Sequence, residues 1–120
     1  MINLGRLRIV VKNLNGAIQI LEQAVKLQPN SPQANYFLGE AYLQAKLGSK
    51  GVTYLSEAIR LDPSGMADAH LRLAALYNAK DMKDKAANEY SEFLKQRPDY
   101  PDKKKLQEYI ATYKKGPKKS

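Results

Sequence analysis

Apolar positions along this chain recur on two scales. Over short windows they fall three and four residues apart, as in Leu38, Ala41, Tyr42 and Ala45. That spacing is the stripe of an amphipathic helix. Over longer distances whole patterns return. Leu4-Gly5, Leu38-Gly39 and Leu73-Ala74 are separated by 34 and then 35 residues, and so are Pro29, Pro63 and Pro98. Ala17, Gly51 and Ala86 keep the same steps, as do Asn15, Ser49 and Asp84. Features of different chemistry that share one period define an internal repeat. The inserted residue falls in Ser64-Gly65-Met66, one longer than the Asn30-Ser31 link before it, where a turn absorbs it.

Each repeat divides into two helices. The spacing predicts helices at about 2–12, 15–27, 32–46, 49–61, 67–80 and 84–96. In the central repeat, Ser31 followed by Pro32 is a strong helix start. Its second helix carries Val52, Leu55, Ala58, Ile59 and Leu61, and Asp62-Pro63 ends it because proline disfavours the α conformation before it. Asn15, Ser49 and Asp84 read as N-caps of the three second helices. A seventh helix at about 102–114 has one apolar stripe, Leu106, Tyr109, Ile110 and Tyr113, and Gly116-Pro117 stops it. An amphipathic helix with a polar back closes a stack of repeats. Strand signals are absent.

Small residues at Gly39, Gly51 and Ala58 allow two helices to approach closely, with Leu38, Tyr42 and Leu55 filling the gaps beside them. Gly51 inside a helix costs on the order of 1 kcal/mol relative to alanine, and close packing is the reason to keep it.

Composition narrows the function. The 120 residues allow one domain, and the apolar share of 43% with 27% charged residues is that of an ordinary globular protein. No apolar run approaches the roughly 18 residues of a spanning helix. Ile9-Val10-Val11 is too short for the apolar core of a signal peptide, and no cleavage site follows it. There is no cysteine, so no disulfide framework and no thiolate chemistry. These features point toward the cytoplasm. The net charge is +8. From Asp99 to Ser120, Lys103, Lys104, Lys105, Lys114, Lys115, Lys118 and Lys119 stand against Asp99, Asp102 and Glu108, which is 7 − 3 = +4. A lysine-rich tail can meet nucleic acid or an acidic surface. No aromatic residue or arginine accompanies Lys114 to Lys119, so a solubilising face is the preferred reading.

Catalytic chemistry lacks its parts. His70 is the only histidine, so neither a histidine metal site nor a histidine-paired nucleophile has a second member, and a helix-packing role is expected for it. Asp81 and Asp84 are close in sequence, but one is expected to begin a helix and the other to cap it. Leu47-Gly48-Ser49-Lys50-Gly51 lacks the upstream strand and the spacing of a phosphate loop. No enzyme activity, cofactor or metal is expected.

At these residues the chain resembles the tetratricopeptide repeat (TPR) family. The central repeat supplies Asn35, Leu38, Gly39, Tyr42, Gly51, Leu55, Ala58 and Pro63. The third gives His70, Leu73, Ala74, Tyr77, Ala86, Tyr90 and Pro98, and the first gives Leu4, Gly5, Ala17, Leu21, Ala24 and Pro29. The departures are Asn35 and His70 in place of an aromatic opening residue, Arg8 where Tyr42 and Tyr77 stand, and Phe93 where Ala24 and Ala58 stand. The resemblance implies an all-α fold, an α-solenoid of helix-turn-helix repeats, about three TPR units plus a C-terminal capping helix, in a right-handed superhelix. A TPR domain would span 1–115, with a truncated repeat 1 at 1–31, repeat 2 at 32–65, repeat 3 at 66–100, a capping helix at 101–115 and a basic flexible tail at 116–120. Met1 falls partway into the first helix of repeat 1, and a segment of a longer protein is expected.

The resemblance also implies a scaffold or adaptor that binds a peptide or helix of a protein partner in a concave groove lined by the first helix of each repeat. Register places Ile2, Arg6, Ile9 and Val10 there from repeat 1 and Gln33, Tyr36, Glu40, Leu43 and Gln44 from repeat 2. Repeat 3 contributes Asp68, Leu71, Arg72, Ala75 and Asn78. Tyr36, Leu43 and Leu71 are not demanded by the core stripe and are expected to grip a partly apolar ligand. Family members that clamp a C-terminal carboxylate would need basic and Asn residues where this chain has Ile2, Arg6, Phe37, Asp68 and Arg72. Only Arg72 fits, so that clamp is not expected. Ile2, Leu4, Ile9 and Val11 would form an apolar edge through which the chain could self-associate as a homo-oligomer.

Overall fold

The computed structural model describes residues 1–114. By its contacts the chain divides into two units, Met1–Ala69 and His70–Ser120. The first contains α1 (Ile2–Val10), α2 (Leu14–Leu27), α3 (Pro32–Gln44), α4 (Gly48–Leu61) and the opening turn of α5 (Ala67–Ala79). The second contains the rest of α5, α6 (Lys83–Gln96) and α7 (Lys103–Tyr113). Every predicted helix is present, its ends displaced by no more than two residues. In the first unit α1 packs on α2, α2 on α3 and α3 on α4, and α1 also touches α3. In the second, α7 packs on α6. The fold is all-α, built from successive helix pairs.

The turns inside the repeats differ from expectation. Asn15, Ser49 and Asp84 lie two residues inside their helices; the caps are Asn13, Leu47 and Met82. The reason is how each first helix ends. Lys12, Lys46 and Asp81 take left-handed φ values of 65°, 66° and 60°. The N–H of the next residue then reaches back five positions: Asn13 donates to the Arg8 carbonyl at 2.8 Å, Leu47 to Tyr42 at 2.9 Å and Met82 to Tyr77 at 2.8 Å. This Schellman closure satisfies carbonyls the helix leaves unpaired and launches the next helix at once. Asp81 is therefore a turn residue and begins no helix. Of the three caps only Asn13 supplies a side-chain bond, accepting from the Gly16 N–H at 3.1 Å.

Between repeats proline is decisive. Gln28, Asp62 and Arg97, each directly before a proline, have φ of −134°, −144° and −129° and cannot continue a helix. Ser31 then caps α3 as expected, accepting from the Ala34 N–H at 3.1 Å. The inserted residue sits in the turn after α4, where the Asp62 carboxylate accepts from the Gly65 N–H at 3.1 Å.

The core of the first unit rests on close approach. A Cβ on Gly5 would lie 2.5 Å from Leu21 Cγ, and one on Gly39 would lie 2.7 Å from Leu55 Cγ and 3.0 Å from the Leu55 backbone nitrogen. The two contacts are one repeat apart. Leu21 and Leu55 are fully buried as a result, and Leu38 beside Gly39 is fully buried as well. Ile9, expected in the groove, is instead only 5% exposed in the cluster of Ala17, Leu21, Leu38, Ala41 and Tyr42. It lies one turn after Gly5, on the face that α2 and α3 cover.

Polar groups hold the positions where an aromatic opening residue is missing. Buried Asn35 donates through Nδ2 to the carbonyls of Pro29 (3.1 Å) and Ser31 (2.9 Å), tying α3 to the turn before it. His70 is also buried, with Nδ1 2.7 Å from Glu89 Oε1, and so links α5 to α6. Phe93 is buried against the Tyr100 ring, edge to face at 4.9 Å. On α7, the Tyr109 ring meets Tyr90 at 5.2 Å and its hydroxyl donates to Asn78 Oδ1 at 2.7 Å. Buried Tyr42 stacks on Tyr54 at 5.7 Å and donates its hydroxyl to Glu22 Oε2 at 2.5 Å, joining α3 to α2. Burial first, and then that bond, push the Tyr42 phenol well above the ordinary tyrosine range.

Three outcomes follow for urea denaturation. Lys46→Gly relieves the left-handed backbone and raises stability by about 0.5–1 kcal/mol, the part left after glycine's extra unfolded-state entropy. Gly39→Ala forces Leu55 and its backbone aside and lowers stability by roughly 1–2 kcal/mol despite alanine's better helix propensity. Tyr42→Phe costs about 1 kcal/mol at neutral pH. A phenol whose folded pKa is raised stabilises fully below its unfolded pKa and loses that contribution as pH rises through the folded value. The gap between wild type and Tyr42→Phe therefore narrows above about pH 10.

Candidate functional site

Three of the predicted groove residues meet in the first unit. Ile2 and Arg6 from α1 and Gln33 from α3 line an open cleft of about 750 Å³, with Leu27 near the end of α2, Ser31 and Phe37 among its other walls. α1 and α3 can flank it because they touch each other directly. The Arg6 guanidinium carbon stands 4.9 Å from the centre of the Phe37 ring. Tyr36 holds that ring edge to face at 5.0 Å. A guanidinium laid against an aromatic face gains about 0.5–1 kcal/mol at an exposed site and keeps its in-plane N–H donors for an acceptor.

No acidic side chain lines the cleft. Its character is one cation backed by an aromatic ring, aliphatic surface from Ile2, Ala24 and Leu27, and polar groups from Asn3, Gln28 and Gln33. The one hydroxyl there, on Ser31, is already accepting the helix-capping bond. The arrangement can recognise an acidic group next to an apolar one. It holds no base to activate a nucleophile, and among the described residues no cluster of His, Cys, Asp or Glu could hold a metal ion. No helix among them is long and apolar enough to cross a membrane.

The other predicted residues have mixed placements. Tyr36 is 9% exposed, so its main contribution is packing. Leu43 is half-buried and fills the notch left by Gly51, whose Cβ would lie 2.5 Å from Leu43 Cδ2. Glu40 and Gln44 lie together, and Gln44 accepts from Lys12 Nζ at 3.2 Å. Val10 points outward. Asp68, Arg72 and Ala75 are exposed and Leu71 is half-buried. Asn78 is exposed but already accepts from Tyr109 of α7. Phe37 is half-buried and packs against the edge of the core cluster; its pairing with Arg6 depends on how a long side chain folds back, which spacing does not reveal.

The lysines divide similarly. Lys103, Lys104 and Lys105 are exposed in the first turn of α7. Lys114 donates to Ser91 Oγ at 3.0 Å. Lys115, Lys118 and Lys119, with the expected tail at 116–120, lie outside the described residues.

Residues 11–64 match the family model of the tetratricopeptide repeat. No curated protein matches the chain. Among solved structures, a crystal structure of MamA protein is 25% identical with a TM-score of 0.78, covering 93% of this chain and 66% of that one. A second MamA crystal structure has the same identity and TM-score and covers 93% and 71%. The first TPR of Spaghetti (RPAP3), bound to the HSP90 peptide SRMEEVD, is 18% identical with a TM-score of 0.78, covering 91% of each chain. At that identity the likeness is one of fold. The chain thus spans about two thirds of the length of the first MamA structure.

Proposed function

We propose, from the premise that this chain belongs to the tetratricopeptide repeat family, that it is a non-catalytic interaction module whose first unit captures a partner peptide in the Arg6–Phe37 cleft. The observation that carries the reading is a cation with free in-plane donors above an aromatic ring, in a cleft that has aliphatic walls and no acid. The ligand it fits is an extended peptide with Asp or Glu beside Leu, Ile or Val. A similarly folded protein bound to an acidic peptide, SRMEEVD, supports the class of ligand. The sequence does not support the two-carboxylate clamp, since Ile2 and Phe37 replace polar groups and Asp68 has the wrong sign.

A second reading has a specific observation behind it. Three lysines occupy the first turn of α7 with no acid among them, where the helix dipole disfavours cations by about 0.3–1 kcal/mol each. Their placement suits an anionic partner, nucleic acid included, better than it suits helix stability.

An array of heptapeptides probed with the full chain separates the two. The cleft reading expects hits that pair an acid with an aliphatic residue, and Arg6→Gln weakens them at least about tenfold in fluorescence anisotropy. Hits unmoved by Arg6→Gln would remove the cleft from the account. Binding that collapses with salt and with Lys103, Lys104 and Lys105 replaced by alanine would assign function to the second reading.

A further inference from the structure

The helix that opens the chain is apolar on two sides. One side, with Gly5 and Ile9, is buried in the core. The opposite side carries Leu4, Leu7 and Val11, which are 41%, 57% and 62% exposed, and Val10 beside them is 74% exposed. A helix apolar all round is one that belongs between two neighbours.

The repeat identifies the chemistry of the missing neighbour. One step of 34 residues turns Leu4, Leu7, Arg8 and the C-cap Val11 of α1 into Leu38, Ala41, Tyr42 and the C-cap Ala45 of α3. There Leu38 and Ala41 are fully buried, in one cluster with Ala17 and Leu21 of α2. Tyr42 meets a carboxylate on the same helix, donating to Glu22. So the surface exposed on α1 is, on α3, covered by a helix with a small apolar stripe and an acid beside it. Arg8 stands where Tyr42 stands, and a cation calls for that acid more strongly than a phenol does.

We infer that the outward face of α1 docks an amphipathic helix of a partner protein, one presenting a small-residue apolar stripe with a carboxylate opposite Arg8. Charge complementarity selects this occupant. Residues 1–21 carry Arg6, Arg8 and Lys12 and no acid. Pairing α1 with its own copy sets like charges along both rims, and α7 of a second copy brings Lys103, Lys104 and Lys105. An acid-edged helix meets neither penalty. The surface goes beyond the cleft reading, because Leu7 lies on the side of α1 turned away from Gly5 and Ile9, and it does not line the cleft.

The test uses the full chain with methyl-labelled leucine and valine, and as probe a stapled peptide of the α2 sequence, residues 13–28. Saturable shifts of the Leu4, Leu7 and Val11 methyls are expected. Leu7→Asn, at a position exposed enough to leave the fold intact, weakens binding at least about tenfold. Replacing the peptide's Glu22 with lysine weakens binding about fivefold to the wild-type chain and restores it to the Arg8→Glu chain. Shifts confined to α3, unaffected by Leu7→Asn, would show displacement of the chain's own α2 and overturn the inference. A concentration-dependent dimer abolished by Leu7→Asn would give the face to a second copy. Adsorption to phosphatidylserine vesicles abolished by the same change would give it to a membrane surface. Either of these overturns it too.

Discussion

The contact that the first unit depends on is a leucine driven into the space over a glycine on the neighbouring helix. Leu21 sits over Gly5, and 34 residues later Leu55 sits over Gly39. Because no Cβ intervenes, the two helices of a repeat come close enough to bury that leucine completely. Other features of the first unit follow from that approach. The turn joining the helices must be tight, so Lys12 and Lys46 accept a left-handed backbone. Leu43 fills the complementary notch at Gly51. The proposed site uses the helix surfaces that this packing leaves over.

Much of this was legible in the sequence because it is periodic. A spacing of 34 and then 35 residues in four kinds of residue, with the helical stripes inside each repeat, located six helices to within two residues, and the apolar stripe of Leu106, Tyr109, Ile110 and Tyr113 located the seventh. The misses share a physical cause. A side-chain oxygen at Asn15, Ser49 or Asp84 looks like a cap, but the Schellman closure two residues earlier had already started each helix. Register gave Ile9 a groove position, whereas its angular distance from Gly5 puts it in the core. Asn35 and His70 could be recognised as polar substitutes for an aromatic, but not how they satisfy their burial. Asn35 resolves its burial by bonding two turn carbonyls, a solution visible only once the turn geometry is known.

For the site, the sequence supplied the helix and the residues Ile2, Arg6 and Gln33 but not their focus. Spacing ranks residues by face; it does not say which long side chain lies across which ring. Arg6 over Phe37 is such a case, and it is why the proposed ligand differs from the partly apolar one expected at Tyr36, Leu43 and Leu71 by carrying an acid. Tyr36 supports the site from beneath by fixing the Phe37 ring.

The most direct test of the account is backbone chemical-shift mapping of the full chain with a heptapeptide that binds it. The cleft reading predicts that the largest saturable changes fall on Arg6, Leu27, Gln33 and Phe37, with α7 undisturbed. Changes concentrated on Lys103, Lys104 and Lys105, with Arg6 and Phe37 silent, would contradict it.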